Sequence, residues 1–177
     1  MRSRYKIYPD SGIYFITSTV RDWVPIIINE AIFKIILESF KYCQKEKDLL
    51  IFGFVIMINH FHMIIGMDQS DKIPGVIRDL KRHTSQEISK FIANSEKQNR
   101  LFWLKPFYSQ KVNYVWQEGY HPVLIKSEKW FQQKLDYMHW NPVKKGLVEE
   151  PEFWKYSSAR NYILEDDSLI KLDLDKL

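Results

Sequence analysis

Cysteine is nearly absent from this sequence and long apolar runs are missing, and each absence excludes a class of protein. Cys43 is the single cysteine among 177 residues, so an internal disulfide is excluded and a reducing compartment is expected. No apolar run is long enough for a membrane helix, and we find no signal peptide, internal repeat or low-complexity linker. We therefore expect a cytoplasmic protein with no membrane partner.

Aromatic and basic residues are abundant instead. Phe, Tyr and Trp make up 15% of the chain, more than a core needs, so some are expected in a binding groove. Residues 149–177 hold eight acidic and four basic residues, a net charge of −4, whereas residues 1–148 hold 22 basic and 14 acidic residues, a net charge of +8. A basic body with many aromatics suits a polyanion such as nucleic acid.

Hydrophobic periodicity predicts alternating strands and helices. Asn29 and Ser127 are expected to cap helices, and the second of these should end near Trp140 because Asn141 precedes Pro142. The predicted strands are 12–20, 50–58 and 60–67, with short extended segments at 114–117 and 120–126, and the predicted helices are 29–46, 71–97, 127–140 and 153–162. This order predicts an α+β fold, a ferredoxin-like antiparallel sheet with helices packed on it. A single domain is expected over 1–164, with a mobile acidic tail over 165–177.

The stretch 51–66 places two histidines in an apolar hairpin. Side chains two apart on a strand share one face, about 6.5–7 Å apart, so His60 and His62 should point the same way and Phe61 into the core. Two such imidazoles can chelate a divalent metal if a third ligand comes from elsewhere. On spacing alone, hydrogen-bonded structural histidines remain the alternative.

Tyr137 and Asn141 stand four apart at the end of a predicted helix and therefore share a face. If that face lies across the histidines, Asn141 could offer its amide oxygen to the metal; its alternative role is simply to end the helix. Three neutral ligands would leave the ion its full charge, which suits Lewis-acid work on a phosphodiester. A phenol has an ordinary pKa of about 10 and needs help as a nucleophile. Lys134 could supply it, or could be a plain surface lysine.

Basic residues also cluster on the predicted helix 71–97. Arg78, Lys81, Arg82 and His83 fall within about one and a half turns. A solvated helix face and a phosphate-binding face are both compatible with this cluster.

Several blocks of the sequence carry a family resemblance. They are Tyr14-Phe15-Ile16-Thr17-Ser18, Met57-Ile58-Asn59-His60-Phe61-His62, Trp116-Gln117-Glu118-Gly119-Tyr120-His121, the run from Asp136 to Val148 with its Tyr-x-x-x-Asn-Pro-Val core, and Trp154-Lys155-Tyr156-Ser157-Ser158-Ala159. With these blocks the chain resembles the IS200-like single-tyrosine HUH transposases, and especially the REP-associated tyrosine transposases. Ile58 and Pro122 depart from the family pattern, which commonly has proline and an acidic residue there. Neither belongs to the predicted ligands or nucleophile.

The resemblance implies a specific chemistry. Tyr137 would attack single-stranded DNA beside a foldback hairpin and form a 5′-phosphotyrosine intermediate, with His60, His62 and Asn141 holding Mg²⁺ or Mn²⁺. Such proteins act as monomers or homodimers, and both states stay open. The predicted DNA contacts are Arg78, Lys81, Arg82, Lys134, Trp116 and Gln117, with base stacking on the aromatics of 103–108.

Two other functions fit parts of the pattern. One is a non-catalytic module of the same fold that binds single-stranded nucleic acid. It requires neither the histidine pair nor Tyr137 and Asn141, so their co-occurrence argues against it. The other is a metal-dependent hydrolase that uses water, in which Tyr137 is structural. A covalent protein–DNA adduct would separate the two enzymes.

Overall fold

A computed structural model describes residue 7 and residues 12–95, 101–104 and 115–177 of the chain. In chain order the main elements are β1 (Ile13–Thr19), α1 (Glu30–Glu46), β2 (Leu50–Ile56), β3 (His60–Gly66), α2 (Ile73–Ala93), β4 (Val123–Ile125), α3 (Glu128–His139), α4 (Asn141–Lys144) and α5 (Ala159–Leu164). Within the described ranges, no helix has the length and apolarity that a membrane span needs.

The four strands form one antiparallel sheet in the order β2-β3-β1-β4. The central strand β1 is rich in β-branched and aromatic residues, and every residue of the central strand β3 is buried, as expected of a sheet covered on its two faces. The register sets Thr17 opposite His62 and Thr19 opposite His60. Helices pack on this sheet, so the predicted α+β architecture is confirmed.

The two faces of the sheet bury different sets of side chains. Phe61, Met63 and Ile65 of β3 join a large apolar cluster with α1 and α2. Ile64 points the other way, into a smaller cluster that includes Leu135 and Met138 of α3. The alternation of β3 thus separates a helix-covered apolar layer from the layer that holds α3.

Gly53 on β2 lets α3 approach the sheet closely. A Cβ built at this position would lie 2.8 Å from Met138 Cε and 3.1 Å from Leu135 Cδ1. Both distances are shorter than ordinary van der Waals contact, so a larger residue would force one of these side chains to move. The missing side chain of Gly53 therefore helps to set the distance of α3 from β2.

Helix α3 ends near Trp140 as predicted, but the predicted reason for its end is wrong. Ser127 caps the helix as predicted, since its Oγ accepts from the Trp130 N–H at 3.3 Å. Asn141, however, is itself helical and begins α4. Pro142 has no N–H and is tolerated in a first helical turn, so the chain continues with only a local change at Trp140, where ψ is −5°. Tyr137 and Asn141 accordingly stay about one turn apart.

The acidic tail is packed against the domain, and the prediction of a mobile tail is wrong. Ile170 and Leu172 are buried in the large cluster. Asp173 Oδ2 accepts from the Ile51 N–H at 2.8 Å and from Gln44 Nε2 at 2.7 Å. These contacts supply backbone partners to the outer edge of β2, which would otherwise be exposed to pairing with another chain. The tail therefore completes the sheet edge.

Candidate active site

The two histidines of β3 lie on the α3 face of the sheet, as the strand period predicts. Their ring centroids are 4.8 Å apart, and the exposed fractions are 7% for His60 and 4% for His62. Phe61 between them is fully buried on the opposite face, against Trp116 and Phe40. The predicted common direction of the two imidazoles is confirmed.

Hydrogen bonds fix the orientation of both rings. Asn59 Oδ1 lies 2.7 Å from His60 Nδ1, and because a carbonyl oxygen only accepts, Nδ1 carries the proton and donates. Thr17 Oγ1 lies 2.7 Å from His62 Nδ1, while Asn141 Nδ2 lies 3.1 Å from His62 Nε2. The Asn141 amide donates to Nε2, so His62 is protonated on Nδ1 and donates to Thr17. Nε2 is thus the unprotonated nitrogen of both histidines, and that of His62 accepts from Asn141.

Thr17 and Asn59 orient the histidines, although the sequence motifs assign them no such role. Asn59 could have been found, since it directly precedes His60 and ends the hairpin turn. Thr17 could not, because its role depends on the pairing register of β1 with β3. Such second partners hold a ligating imidazole in one tautomer and one direction.

Burial keeps both imidazoles neutral. It lowers the pKa of His60 to about 4, and the positive charge of Lys145 contributes in the same direction. Burial likewise lowers the pKa of His62 to about 3, helped by His60 and by Lys134. At neutral pH both rings are therefore in the uncharged form that metal coordination requires.

The donor set fits a divalent cation held without acidic ligands. Within the described parts of the chain, no group of three or more His, Cys, Asp or Glu side chains could hold a metal ion. The set is instead two imidazole Nε2 atoms and the Asn141 amide, which is buried and already contacts His62. A half-turn of that amide would present Oδ1 in place of Nδ2. Nitrogen and neutral oxygen donors of this kind can bind divalent first-row metals.

Tyr137 lies beside the histidines and is open to solvent. Its ring centroid is 5.6 Å from that of His62 and 6.1 Å from that of Phe15. Phe15 stacks on His62 at 5.0 Å, so one apolar ring supports both groups. The side chain of Tyr137 is 47% exposed, which leaves it accessible to a macromolecular substrate.

Two lysines place positive charge around Tyr137. Lys134 Nζ lies 5.9 Å from the Tyr137 ring centroid and 5.2 Å from that of Phe15. Lys144 Nζ lies 5.7 Å from the Tyr137 ring centroid. The structure thus brings the predicted Lys134 to the site. It adds Lys144, which stands seven residues, about two helical turns, after Tyr137 and could have been found from that spacing.

The structure corrects the assignment of Trp116 as a DNA contact. This side chain is 4% exposed, and its Nε1 donates to Thr84 Oγ1 at 2.8 Å within the large core. Lys81 has internal partners as well, since its Nζ donates to the backbone oxygens of Gln117, at 2.7 Å, and of Gly119. Lys81 therefore holds the segment beside β1, whereas Trp116 is part of the core.

Of the remaining predicted DNA contacts, Arg78 and Arg82 lie on the other side of the sheet from the histidines. Arg78 and Arg82 of α2 both lie near Asp79, at 3.6 Å and 3.0 Å, on the helix layer of the opposite sheet face. Gln117 lies at the sheet edge, where its N–H donates to the Thr19 oxygen at 2.8 Å. The Trp103 side chain and residues 105–108 are outside the described parts of the chain. Contacts of Arg78, Arg82 and Gln117 with DNA stay predictions.

Two known proteins are similar to this chain over most of its length. A protein of Haemophilus influenzae assigned to the REP-associated tyrosine transposases is 23% identical over 152 residues, which cover 85% of this chain and 81% of the relative. The solved structure of a REP-associated tyrosine transposase bound to a REP hairpin superposes with a TM-score of 0.67 at 18% identity, covering 88% of this chain and 82% of that one. At this identity the second likeness shows a shared fold.

A family model adds the decisive match. The model described as "Transposase IS200 like" matches residues 14–130, about two thirds of the chain. The matched range includes His60 and His62 and ends before Tyr137. The resemblance expected from the sequence motifs is confirmed, and the chain belongs to the IS200-like transposase family.

Proposed function

We propose that this chain is a metal-dependent endonuclease and strand transferase that cleaves single-stranded DNA next to hairpins through a 5′-phosphotyrosine intermediate. The observation that carries the proposal is the convergence of Tyr137, His60, His62 and Asn141. Tyr137 lies 5.6 Å from His62 between ring centroids, and Asn141 lies 3.1 Å from the same imidazole. Binding of nucleic acid alone would require no such set.

Tyr137 is the proposed nucleophile. Its phenolic oxygen forms a bond to the scissile phosphorus, the bond from phosphorus to the 3′ oxygen breaks, and the proton lost by the phenol is balanced by the one gained by the 3′ hydroxyl. The phosphate ester energy is retained in the protein–DNA link, so a 3′ hydroxyl can later reverse the step without a nucleotide cofactor. The exposure of the ring allows a DNA strand to reach it.

The histidines and Asn141 are the proposed ligands of Mg²⁺ or Mn²⁺. When bound, such an ion polarises a phosphate oxygen and stabilises negative charge in the transition state. Asn59 and Thr17 hold the two imidazoles with Nε2 turned toward the site, at 2.7 Å each. Because these groups are already oriented, little reorganisation is needed when a phosphate arrives.

Lys134 and Lys144 are the proposed contacts for the phosphate at Tyr137. Their ammonium groups lie within 6 Å of the tyrosine ring centroid, at 5.9 Å and 5.7 Å. A strand that runs past Tyr137 would therefore meet cations on the same helical surface. Contacts of this kind are independent of base sequence and weaken with salt.

Recognition of a DNA hairpin is proposed from the similarity of this chain to a solved structure. The solved relative of shared fold is bound to a REP hairpin. The net charge of +8 over residues 1–148 is suited to a folded, double-stranded ligand as well as to a single strand. Arg78, Arg82 and Gln117 are the proposed contacts for the part of the DNA that lies away from Tyr137.

The test is incubation of the protein with single-stranded oligonucleotides from the flanks of its own gene, with Mn²⁺ or Mg²⁺. We expect a covalent adduct on a denaturing gel and a free 3′ hydroxyl on the released fragment. Tyr137→Phe should abolish the adduct, whereas Tyr42→Phe, a control tyrosine on α1 that is 57% exposed, should not. Cleavage without an adduct would instead identify a water-using hydrolase, and binding without cleavage a recognition module.

A further inference from the structure

Trp23 is a large aromatic side chain left open to solvent at the edge of the candidate site. It is 59% exposed, and its ring centroid lies 6.2 Å from that of His60 in an edge-to-face arrangement. It precedes α1, on the connection that follows β1. Neither the sequence motifs nor the proposed mechanism gives this residue a role.

The backbone that carries Trp23 is held in an unfavourable conformation. Asp22 and Trp23 are consecutive non-glycine residues with positive φ, 55° and 57°. Such conformations are unfavourable for residues with a side chain and persist where surrounding contacts enforce them. Here the Trp23 N–H donates to the Val20 oxygen at 3.1 Å, and Asn59 Nδ2 donates to the Trp23 oxygen at 3.1 Å.

Asn59 therefore connects the turn to the site. Its amide nitrogen holds the Trp23 backbone while its oxygen holds His60 Nδ1 at 2.7 Å. One side chain thus links the Trp23 backbone to the His60 imidazole. The indole gains little burial in return, so core packing does not account for this position.

Ring contacts place Trp23 and Tyr137 at opposite ends of the histidine pair. The sequence of neighbours is Trp23 to His60 at 6.2 Å, His60 to His62 at 4.8 Å, and His62 to Tyr137 at 5.6 Å. In phosphoryl transfer the attacking and leaving oxygens lie roughly in line across phosphorus. With attack from the Tyr137 end, the leaving 3′ oxygen points toward the His60 end, where Trp23 lies.

We propose that Trp23 stacks on the base of the nucleoside that carries the leaving 3′ oxygen. This inference rests on the proposed function and adds a substrate-positioning residue to it. Stacking of a base on an aromatic side chain is independent of base identity and strengthens binding of a single strand. The indole would hold the released 3′ end near the phosphotyrosine, where it is available for rejoining.

The first test measures adduct formation on the cleaved flanking oligonucleotide. We expect Trp23→Ala to lower kcat/KM by about 5- to 150-fold, the range that loss of one stacked base implies. Trp23→Phe should recover most of it, and Tyr42→Ala, a control at 57% exposure, should change nothing. Circular dichroism and thermal unfolding check that each variant is folded.

An abasic site on the DNA makes the test specific for the base involved. Placed at the nucleoside that carries the leaving 3′ oxygen, it should slow the wild type by the same factor and slow Trp23→Ala no further. Placed at the nucleoside on the other side of the scissile phosphate, it should act additively with Trp23→Ala. Additive effects at both positions would overturn the proposal.

Photocrosslinking separates failure of this inference from failure of the proposed function. An oligothymidylate with one 5-iododeoxyuridine is irradiated with the Tyr137→Phe protein, which cannot cleave, and cross-linked peptides are identified by mass spectrometry. A cross-link on Trp23 supports stacking, and cross-links only elsewhere refute it. If the wild type forms the adduct but Trp23→Ala forms it with unchanged kinetics, the proposed nuclease activity is supported and the role of Trp23 is refuted. If the wild type forms no adduct, both the proposed nuclease activity and the stacking of Trp23 on the base at the leaving 3′ oxygen are refuted.

Discussion

The two faces of the sheet use the same strands for different purposes. Toward α1 and α2, β3 presents Phe61, Met63 and Ile65, and the resulting cluster is apolar and closed. Toward α3, the same strand presents His60 and His62, which are buried with hydrogen-bond partners for their Nδ1 atoms, and the Nε2 of His62 contacts Asn141. One face thus provides stability and the other accepts the cost of burying polar groups. The difference shows that one strand can carry buried polar groups on one face while its other face contributes to the apolar core.

The sharpest way to test this division is to mutate neighbours on β3. We expect His62→Ala to lower the rate of adduct formation by at least about 10³-fold and to abolish Mn²⁺ binding measured by calorimetry, because it removes a central ligand. The unfolding free energy should change only slightly in this variant. Retained Mn²⁺ affinity in His62→Ala would move the metal site elsewhere.

The matched variant is Phe61→Ala, one residue away and on the other face. Its ring is fully buried, so its loss should lower the unfolding free energy by about 3–5 kcal/mol in urea titrations. A folded fraction that still binds Mn²⁺ with unchanged affinity would support the division. A smaller stability loss than that of His62→Ala would contradict it.

The second prediction concerns the pH dependence of stability, to which the buried histidines on the α3 side of the sheet contribute. Burial lowers the pKa of His139 to about 4, and its Nε2 lies 2.8 Å from Ser158 Oγ. The unfolded chain takes up this proton near pH 6.5 and the folded chain only near pH 4. Stability is therefore full above pH 6.5 and is lost as pH falls to 4, by on the order of 3 kcal/mol for this residue.

Urea titrations across that window, with EDTA present, measure the effect. His139→Gln should flatten the slope but not remove it, because the pKa values of His60 and His62 are lowered as well. Asp166, whose pKa is lowered to about 2 chiefly by its hydrogen bonds with Ser168 and Arg160, loses its contribution only below this window. A slope that His139→Gln leaves unchanged would show that His139 is not kept neutral by the fold.

The third prediction tests the orientation of His62. Thr17→Val removes the hydroxyl 2.7 Å from His62 Nδ1 and keeps the shape of the side chain. Loss of such a partner typically costs about 10- to 100-fold in metal affinity or activity. Thr17→Ser, which keeps the hydroxyl, should stay near wild type in both measurements. Equal loss in Thr17→Val and Thr17→Ser would point to packing instead of the hydrogen bond.

The fourth and smallest prediction compares two glycines. Gly53→Ala places a methyl group against Met138 and Leu135, and since Met138 Cε is the end of a flexible side chain, the expected loss of stability is only about 1 kcal/mol. The shift of α3 should still slow adduct formation. Gly75→Ala in α2 meets no atom within 4 Å and should be neutral or stabilising by up to about 1 kcal/mol. Equal effects of the two substitutions on the adduct rate would show that the spacing of α3 is not critical.

Much of the site could be predicted because its geometry is local. The common direction of His60 and His62 follows from the strand period, and the shared face of Tyr137 and Asn141 follows from helical spacing. Asn29 and Ser127 cap their helices as expected, and both accept from backbone N–H groups of the first turn. The local pattern Asn141-Pro142 predicts the end of a helix, and this reason is wrong because the first turn of the next helix tolerates proline.

The sequence by itself determined the long strands and helices, the histidine pair and the shared face of Tyr137 and Asn141, since backbone geometry sets these periods. The short helix predicted over 153–162 instead spans Ala159–Leu164. Only the tertiary structure decided that Thr17 orients His62, that Trp116 belongs to the core and that the tail from Glu165 is packed. Each of these facts depends on pairing or burial between residues far apart in the chain, such as Asp173 with Ile51. The pairing partner of a strand and the burial of a particular side chain against a distant segment are set by contacts between segments far apart in the chain, which a short stretch of sequence does not show.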